Sequence, residues 1–313
     1  MKSPNAILIL PHLKVQNANL ISSPLTWGFP AVTAVLGFVH ALERKLRQHY
    51  EISFGGTGII CHQFMPQVFQ SRPGGDTVFC LTRNPLQKDG STAAFVEEGR
   101  AHLEISLVIQ VAGASCSKHE EIVKAMLAEM LQIIYSLRLA GGSILPEDSP
   151  GTKQIQLINW PDTDEEIQKL TKERLRRLLP GFVLIGREQL LAQHTQQLQL
   201  INPQATALDA LLEFSSLNFV VDSENEDTSW KISQKPGWIV PIPIGYKALS
   251  ELHALGTVLN ARDTDYPLRF VESIYSLGEW LSPHRIRYLN DIFWHYQVDN
   301  IKGIYRCINA PRM

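Results

Sequence analysis

Amides, hydroxyls and aromatic rings crowd one short stretch near the N-terminus. Gln16, Asn17, Asn19 and Ser22 precede Trp27 and Phe29. Carboxamides read base edges and rings stack on unpaired bases, so this mixture suits single-stranded nucleic acid. The same residues also suit a loop of Asx turns with two rings turned into the core, the more frequent use of aromatics. A second group is cationic. Arg83 and Lys88 lie in a polar turn with Asp89-Gly90. Arg138 stands ahead of Gly141, Gly142 and Ser143. A glycine pair opens backbone N–H groups to a phosphate, and a guanidinium can fork onto its oxygens. Arg262 and Arg285 are similar candidates in the second half. Plainer roles exist: Arg262 pairing with Asp263 or Asp265, Arg285 on a solvated helix, and Arg138 as a cation at a helix C-terminus.

No reactive constellation accompanies these groups. Gly55-Gly56-Thr57-Gly58 is rich in glycine but no lysine follows, so it reads as a turn rather than a phosphate loop. A Gly-x-Ser-x-Gly elbow and a His-Glu-x-x-His motif are both absent. His119-Glu120-Glu121 has no second histidine at the needed offset, and Glu97-Glu98 suits a solvated hairpin. The four cysteines form no Cys-x-x-Cys pair. Among ten histidines, His12, His40 and His62 lie near the expected core, and His40 reads as a core histidine on an apolar helix. The sequence therefore points to no catalytic residue, no metal site and no cofactor.

The elements that would position these groups follow from periodicity. Ala6–Leu10 reads as a buried strand ended by Pro11, and Gln16–Asn19 as loop. Pro30 opens a helix with Val35, Phe38, Val39, Leu42 and Leu46 on its apolar stripe. A strand follows at Gly58–His62. Val78–Thr82 and Leu103–Val111 form a hairpin with an extended tip from Arg83 to Ser91. Val123–Leu137 is helical, with Met126, Met130, Ile133 and Leu137 on one face, and Ile144-Leu145 begins a strand. Strand, helix, strand, strand, helix, strand is the split β-α-β, ferredoxin-like pattern. Beyond a boundary loop at Glu147–Gly151, Thr163-x-x-Glu166 caps a helix to Leu179, with Lys169, Lys172 and Arg176 as a basic stripe. Phe182–Ile185 is a strand, and helices follow near Glu188–Leu200 and Ala207–Phe214. Asp222–Asp227 is an acidic loop, Trp238–Ile244 an edge strand broken by prolines, and Pro283–Tyr296 a closing helix capped by Ser282.

The fold class expected is α+β. A ferredoxin-like core with a hairpin thumb near 78–111 occupies 1–150, and a mixed α/β extension occupies 151–313. The chain has 313 residues, with 29 Lys and Arg against 31 Asp and Glu, a net charge of −2. That excludes binding nucleic acid by global charge alone, though not by a local basic groove. Few cysteines and no apolar run of membrane length point to a cytoplasmic protein away from membranes.

Beyond these readings, the chain resembles one family. The strings are Gln16-Asn-Ala-Asn19, Ser23-Pro-Leu-Thr-Trp-Gly-Phe-Pro30, Gly37-Phe-Val-His-Ala-Leu42, Leu81-Thr-Arg-Asn-Pro-Leu86, Glu97-Glu-Gly-Arg-Ala-His-Leu-Glu104, Arg138-Leu-Ala-Gly-Gly-Ser-Ile-Leu-Pro146, Lys235-Pro-Gly-Trp-Ile-Val-Pro-Ile-Pro243, Asn260-Ala-Arg-Asp263 and Gly278-Glu-Trp-Leu-Ser-Pro-His-Arg285. In order along the chain, they resemble the Csy-type RAMP subunit of type I-F CRISPR surveillance complexes. The resemblance implies a ferredoxin-like core with a thumb and no catalysis of its own. It implies binding of the five-prime handle of crRNA beside the large Csy subunit and the backbone RAMP subunits, with target double-stranded DNA met through the assembled complex. The competing expectation is a RAMP-type endoribonuclease that processes precursor crRNA, which needs a general base near a ribose hydroxyl.

Overall fold

The computed structural model describes residues 3–82, 85–117, 119–146, 154–222, 229–232, 237–261 and 263–311. The boundary loop, Arg83, Arg262 and most of the acidic loop lie outside these residues. The first half runs β1 (Ala6–Asn19), α1 (Val32–Leu46), β2 (Ser53–Pro66), β3 (Val68–Gln70), β4 (Thr77–Phe79), β5 (Leu81–Thr82), β6 (Val96–Glu97), β7 (Arg100–Ala112), α2 (Glu120–Ser136), β8 (Arg138–Leu139) and β9 (Gly142–Leu145). The second half adds β10 (Gln156–Asn159), α3 (Asp164–Arg176), β11 (Phe182–Gly186), α4 (Glu188–Ile201), α5 (Ala207–Ser215), β12 (Phe219–Asp222), β13 (Ser229–Ile232), β14 (Ile239–Ala248), β15 (Val271–Leu281), β16 (His295–Asp299) and β17 (Ile304–Ile308). The protein is mixed α and β, built on one large antiparallel sheet with five α-helices among the described residues. No helix among them is long and apolar enough to cross a membrane.

Four strands stand in the order β9–β1–β7–β2, all antiparallel, with α1 joining β1 to β2 and α2 joining β7 to β9. Alternation along β1 sends Ala6, Leu8 and Leu10 to the α1 and α2 face, and Ile7 and Ile9 to the α3 face. Helix α1 buries the stripe its periodicity predicts. Helix α2 buries Met126, Met130 and Ile134, an i, i+4, i+8 row, leaving Ile133 only partly buried.

Beyond β2 the sheet continues through β11, β15, β14, β17 and β16. It then returns to β2, where Thr57 and Trp294 exchange two backbone hydrogen bonds of 2.9 and 3.0 Å. Glycines permit this closure. A Cβ on Gly56 would stand 2.6 Å from Phe293 Cβ, and one on Gly58 2.5 Å from Ile292 Cδ1. The glycine-rich segment is thus strand rather than turn, kept bare so that another strand can lie against it.

Other expectations are corrected. Pro11 does not end β1, because it sits in a bulge between Leu10 and Leu13 where no ladder donor is needed. His12 occupies the same bulge at φ 53°, and its N–H donates to Ser106 Oγ instead of the ladder. Strand β1 therefore runs on through Gln16–Asn19. The predicted hairpin partners are not paired: β7 lies between β1 and β2, while Val78 pairs with Phe69 and Leu81 with Glu97. The protrusion between β2 and β7 accordingly carries two short ladders. Helix α3 stops at Arg176.

The proline-bearing stretch of β14 is an edge, as expected: Pro241 and Pro243 fall on the part paired only with β15, and β14 becomes internal where pairing with β17 starts at Gly245. Residues 283–296 are two 3-10 turns and the start of β16, and Ser282 Oγ meets His284 Nδ1 at 2.8 Å without capping a helix. Burial of Ile292, Phe293 and Trp294 against β2 outweighs the local helical pattern.

Candidate nucleic-acid interface

The C-terminal end of β1, the start of α1, the start of β7 and the turn between β8 and β9 meet around an open cleft of about 720 Å³. Asn19, Ser22 and Gly141 of the sequence-derived set line it, together with Arg100, Tyr246 and Tyr305. Helix α1 enters the cleft by its N-terminus. No side chain caps it and its first turn carries no acid, so the first N–H groups and the dipole offer a seat to an anion. The half-buried Arg100 guanidinium donates to Glu98 Oε2 at 3.0 Å through Nε, with a second contact through Nη2. An incoming phosphate would compete with that carboxylate for the same fork. Burial pushes the Tyr305 phenol up to about 12, which keeps its proton in place as a donor.

Each predicted residue takes a definite position. Asn19 bonds within its own turn, donating to Ile21 O at 2.9 Å and accepting from Ile21 N–H at 3.1 Å. Asn17, at φ 58°, accepts from Gln67 Nε2 at 2.6 Å and so ties β1 to the protrusion. Gln16 is exposed on β1 opposite Ser143. Ser22 Oγ bonds Thr26 at 2.8 and 3.1 Å. Trp27 is 65% exposed and meets Phe79 edge-on at 5.6 Å, whereas Phe29 turns inward against Trp280 at 4.9 Å.

Arg138 opens β8 rather than closing a helix, and spans its own turn to Gly141 O at 3.2 Å and Ser143 Oγ at 3.4 Å. Gly141, at φ 78°, faces the cleft, but Gly142 is buried beneath β1, 2.7 Å from Gln16 O at its Cβ position. Lys88 is exposed on the protrusion, and Arg285 is exposed in the first 3-10 turn; neither lines the cleft. Sequence reasoning missed Arg100, Tyr246 and Tyr305. Arg100 ends the string Glu97-Glu-Gly-Arg100, but its approach to α1 depends on β7 crossing to the sheet centre.

His12 and His62, fifty residues apart in number, stack with ring centroids 4.0 Å apart on the face away from α1. Strand β7 brings them together by lying between β1 and β2. His12 Nδ1 meets Glu104 Oε1 at 2.8 Å. His62 Nδ1 donates to Pro180 O at 2.7 Å, so in the neutral ring Nε2 accepts from Ser106 Oγ at 2.6 Å. His40 is exposed and stacks on Tyr296 at 5.9 Å, contrary to its reading as a core residue.

Comparison with known proteins matches residues 8–307 to the family model of the CRISPR-associated protein (Cas_Csy2). The chain is 49% identical over 321 residues to the CRISPR-associated protein Csy2 of Pseudomonas aeruginosa (strain UCBPP-PA14), covering 99% of this chain and 96% of that relative.

Proposed function

The chain belongs to the Csy2 family of CRISPR-associated proteins, and from that premise we propose that it is a non-catalytic subunit of a type I-F surveillance complex. In this reading it holds the five-prime handle of crRNA in the cleft at the start of α1. The large Csy subunit and the backbone RAMP subunits are its protein partners, and double-stranded DNA is the target of the assembled complex. The observation that carries the reading is the meeting of an uncapped helix N-terminus, the Arg100 fork and two phenols in one cleft. The first two suit phosphate, and the phenols suit bases and sugars. The β9–β1–β7–β2 order with both helices on one face supports a ferredoxin-like core. The protrusion between β2 and β7 supports a thumb.

The test is guide retention. Asn17→Ala with Asn19→Ala removes the anchor to Gln67 and the turn bonds at Ile21. The complex should then lose guide RNA about tenfold faster while the chain stays folded, the left-handed backbone at Asn17 making alanine there cost about 1 kcal/mol. Unchanged retention by the folded variant would contradict the placement of the handle.

One observation favours a second reading. His12, oriented by Glu104, has the form of a general base, as a precursor-processing endoribonuclease requires. Both nitrogens of its neighbour His62 are engaged, so the stacked ring offers no matching acid. His12→Ala, His40→Ala and His62→Ala are each expected to leave precursor cleavage by the intact complex unchanged. Loss of cleavage in any one, with the complex assembled, would establish the nuclease instead.

A further inference from the structure

Opposite the cleft, on the other face of the sheet, α3 and residues 283–288 enclose a groove of about 280 Å³. Leu175 and Leu178 anchor the α3 segment to the second apolar core, and Ile286 and Leu289 anchor the facing segment. What remains outward is cationic. Three cations, Lys172, Arg176 and Arg287, line the groove with Gln168, His284 and Tyr288, and no carboxylate is among the lining residues. Lys172, Arg176 and Arg287 are exposed, and none forms an ion pair among the described residues. On a chain of net charge −2 this is a concentrated positive field.

The helix dipole explains part of it. Arg176 lies in the last turn of α3, where a cation is favoured, but Lys172 lies before that turn and Arg287 belongs to another segment. Gln168, Lys172 and Arg176 stand at i, i+4 and i+8, one straight row on the helix, facing Arg287 across the groove.

We infer that this groove binds the phosphate backbone of double-stranded DNA. The argument for a duplex over a single strand is compositional. Single-strand sites interleave cations with exposed rings on which bases stack. Here the groove's phenol ring, Tyr288, is half-buried, and its one other ring, the imidazole of His284, is tied to Ser282 Oγ at 2.8 Å. Cations without stacking rings contact phosphates and leave the bases alone. The exposed ring of Trp27 and the phenols of the cleft belong to the opposite side of the sheet. The two faces thus present two different chemistries, one for an unpaired strand and one for a duplex.

This inference rests on the proposed membership of a guide-RNA complex, so the experiment reads both. The complex is purified with its guide RNA, and its affinity for a labelled matching DNA duplex is measured across a series of salt concentrations. The triple variant Lys172→Gln, Arg176→Gln and Arg287→Gln should weaken duplex binding at least tenfold at 0.1 M salt. It should lower the log–log salt slope by about three units, close to one for each phosphate contact removed. Guide RNA content should stay at the wild-type level. The charge-conserving variant Arg176→Lys with Arg287→Lys should bind nearly as the wild type. An unchanged slope would overturn the assignment, and so would equal loss in the charge-conserving variant. A parallel loss of guide RNA would give the groove to RNA instead. If the wild-type complex held no RNA, the reading of the cleft would fall and this assignment with it.

Discussion

Trp294→Ala is expected to cost about 3–5 kcal/mol, the range for emptying a buried tryptophan site. The ring is 2% exposed and packs in the main core, and its Nε1–H donates to Leu184 O at 2.9 Å. Removing it leaves a cavity and a buried carbonyl without its donor at the point where the sheet closes on β2. Trp294→Phe restores most of the volume but not the hydrogen bond, and should cost roughly 1–3 kcal/mol. Urea denaturation of the purified chain measures both. Equal, small losses would mean that the closure between β2 and residue 294 contributes little.

Arg100→Ala should weaken guide-handle affinity by roughly ten- to a hundredfold, the value of one charge-assisted bond to phosphate. The salt slope for the single strand should fall by about 0.7. Glu98→Gln removes the carboxylate that now occupies the Arg100 fork. It should leave affinity equal or tighter, because the phosphate then meets less competition. Arg100→Lys keeps the charge but loses the planar fork, and should fall between the two. Equilibrium binding of a handle-length RNA to the complex assembled with each variant checks the series. Tighter binding by Arg100→Ala would place the phosphates elsewhere.

The helices were largely legible because they depend on short-range periodicity. The stripe Val35, Phe38, Val39, Leu42 and Leu46 is all buried in α1, and Thr163 accepts from Glu166 N–H at the start of α3. Strand limits were less legible. Pro11 reads as a stop unless the bulge is known, and the bulge depends on Ser106, ninety-four positions along the chain, accepting the His12 N–H. Gly55–Gly58 reads as a turn because nothing local reveals that residues 292–295 lie against it. Residues 283–296 carry a helical pattern that is overruled by the burial of Phe293 and Trp294.

The cleft follows the same division. Asn19, Ser22 and Gly141 were legible as polar or glycine-rich turns. Arg100, Tyr246 and Tyr305 come from three strands whose neighbours are set by the sheet order, which local sequence does not encode. The stacked pair His12 and His62 was hidden for the same reason, since β7 must first stand between β1 and β2.

The central claim is that the guide handle lies in the cleft at the start of α1. Ultraviolet crosslinking of the guide-loaded complex, followed by mass spectrometry of nucleotide-bearing peptides, tests it most directly. Adducts on this chain are expected within 16–29, 98–100 and 138–143, and on Tyr246 or Tyr305. Adducts confined to the His12–His62 face or to the groove beside α3, with the cleft peptides unmodified, would contradict it.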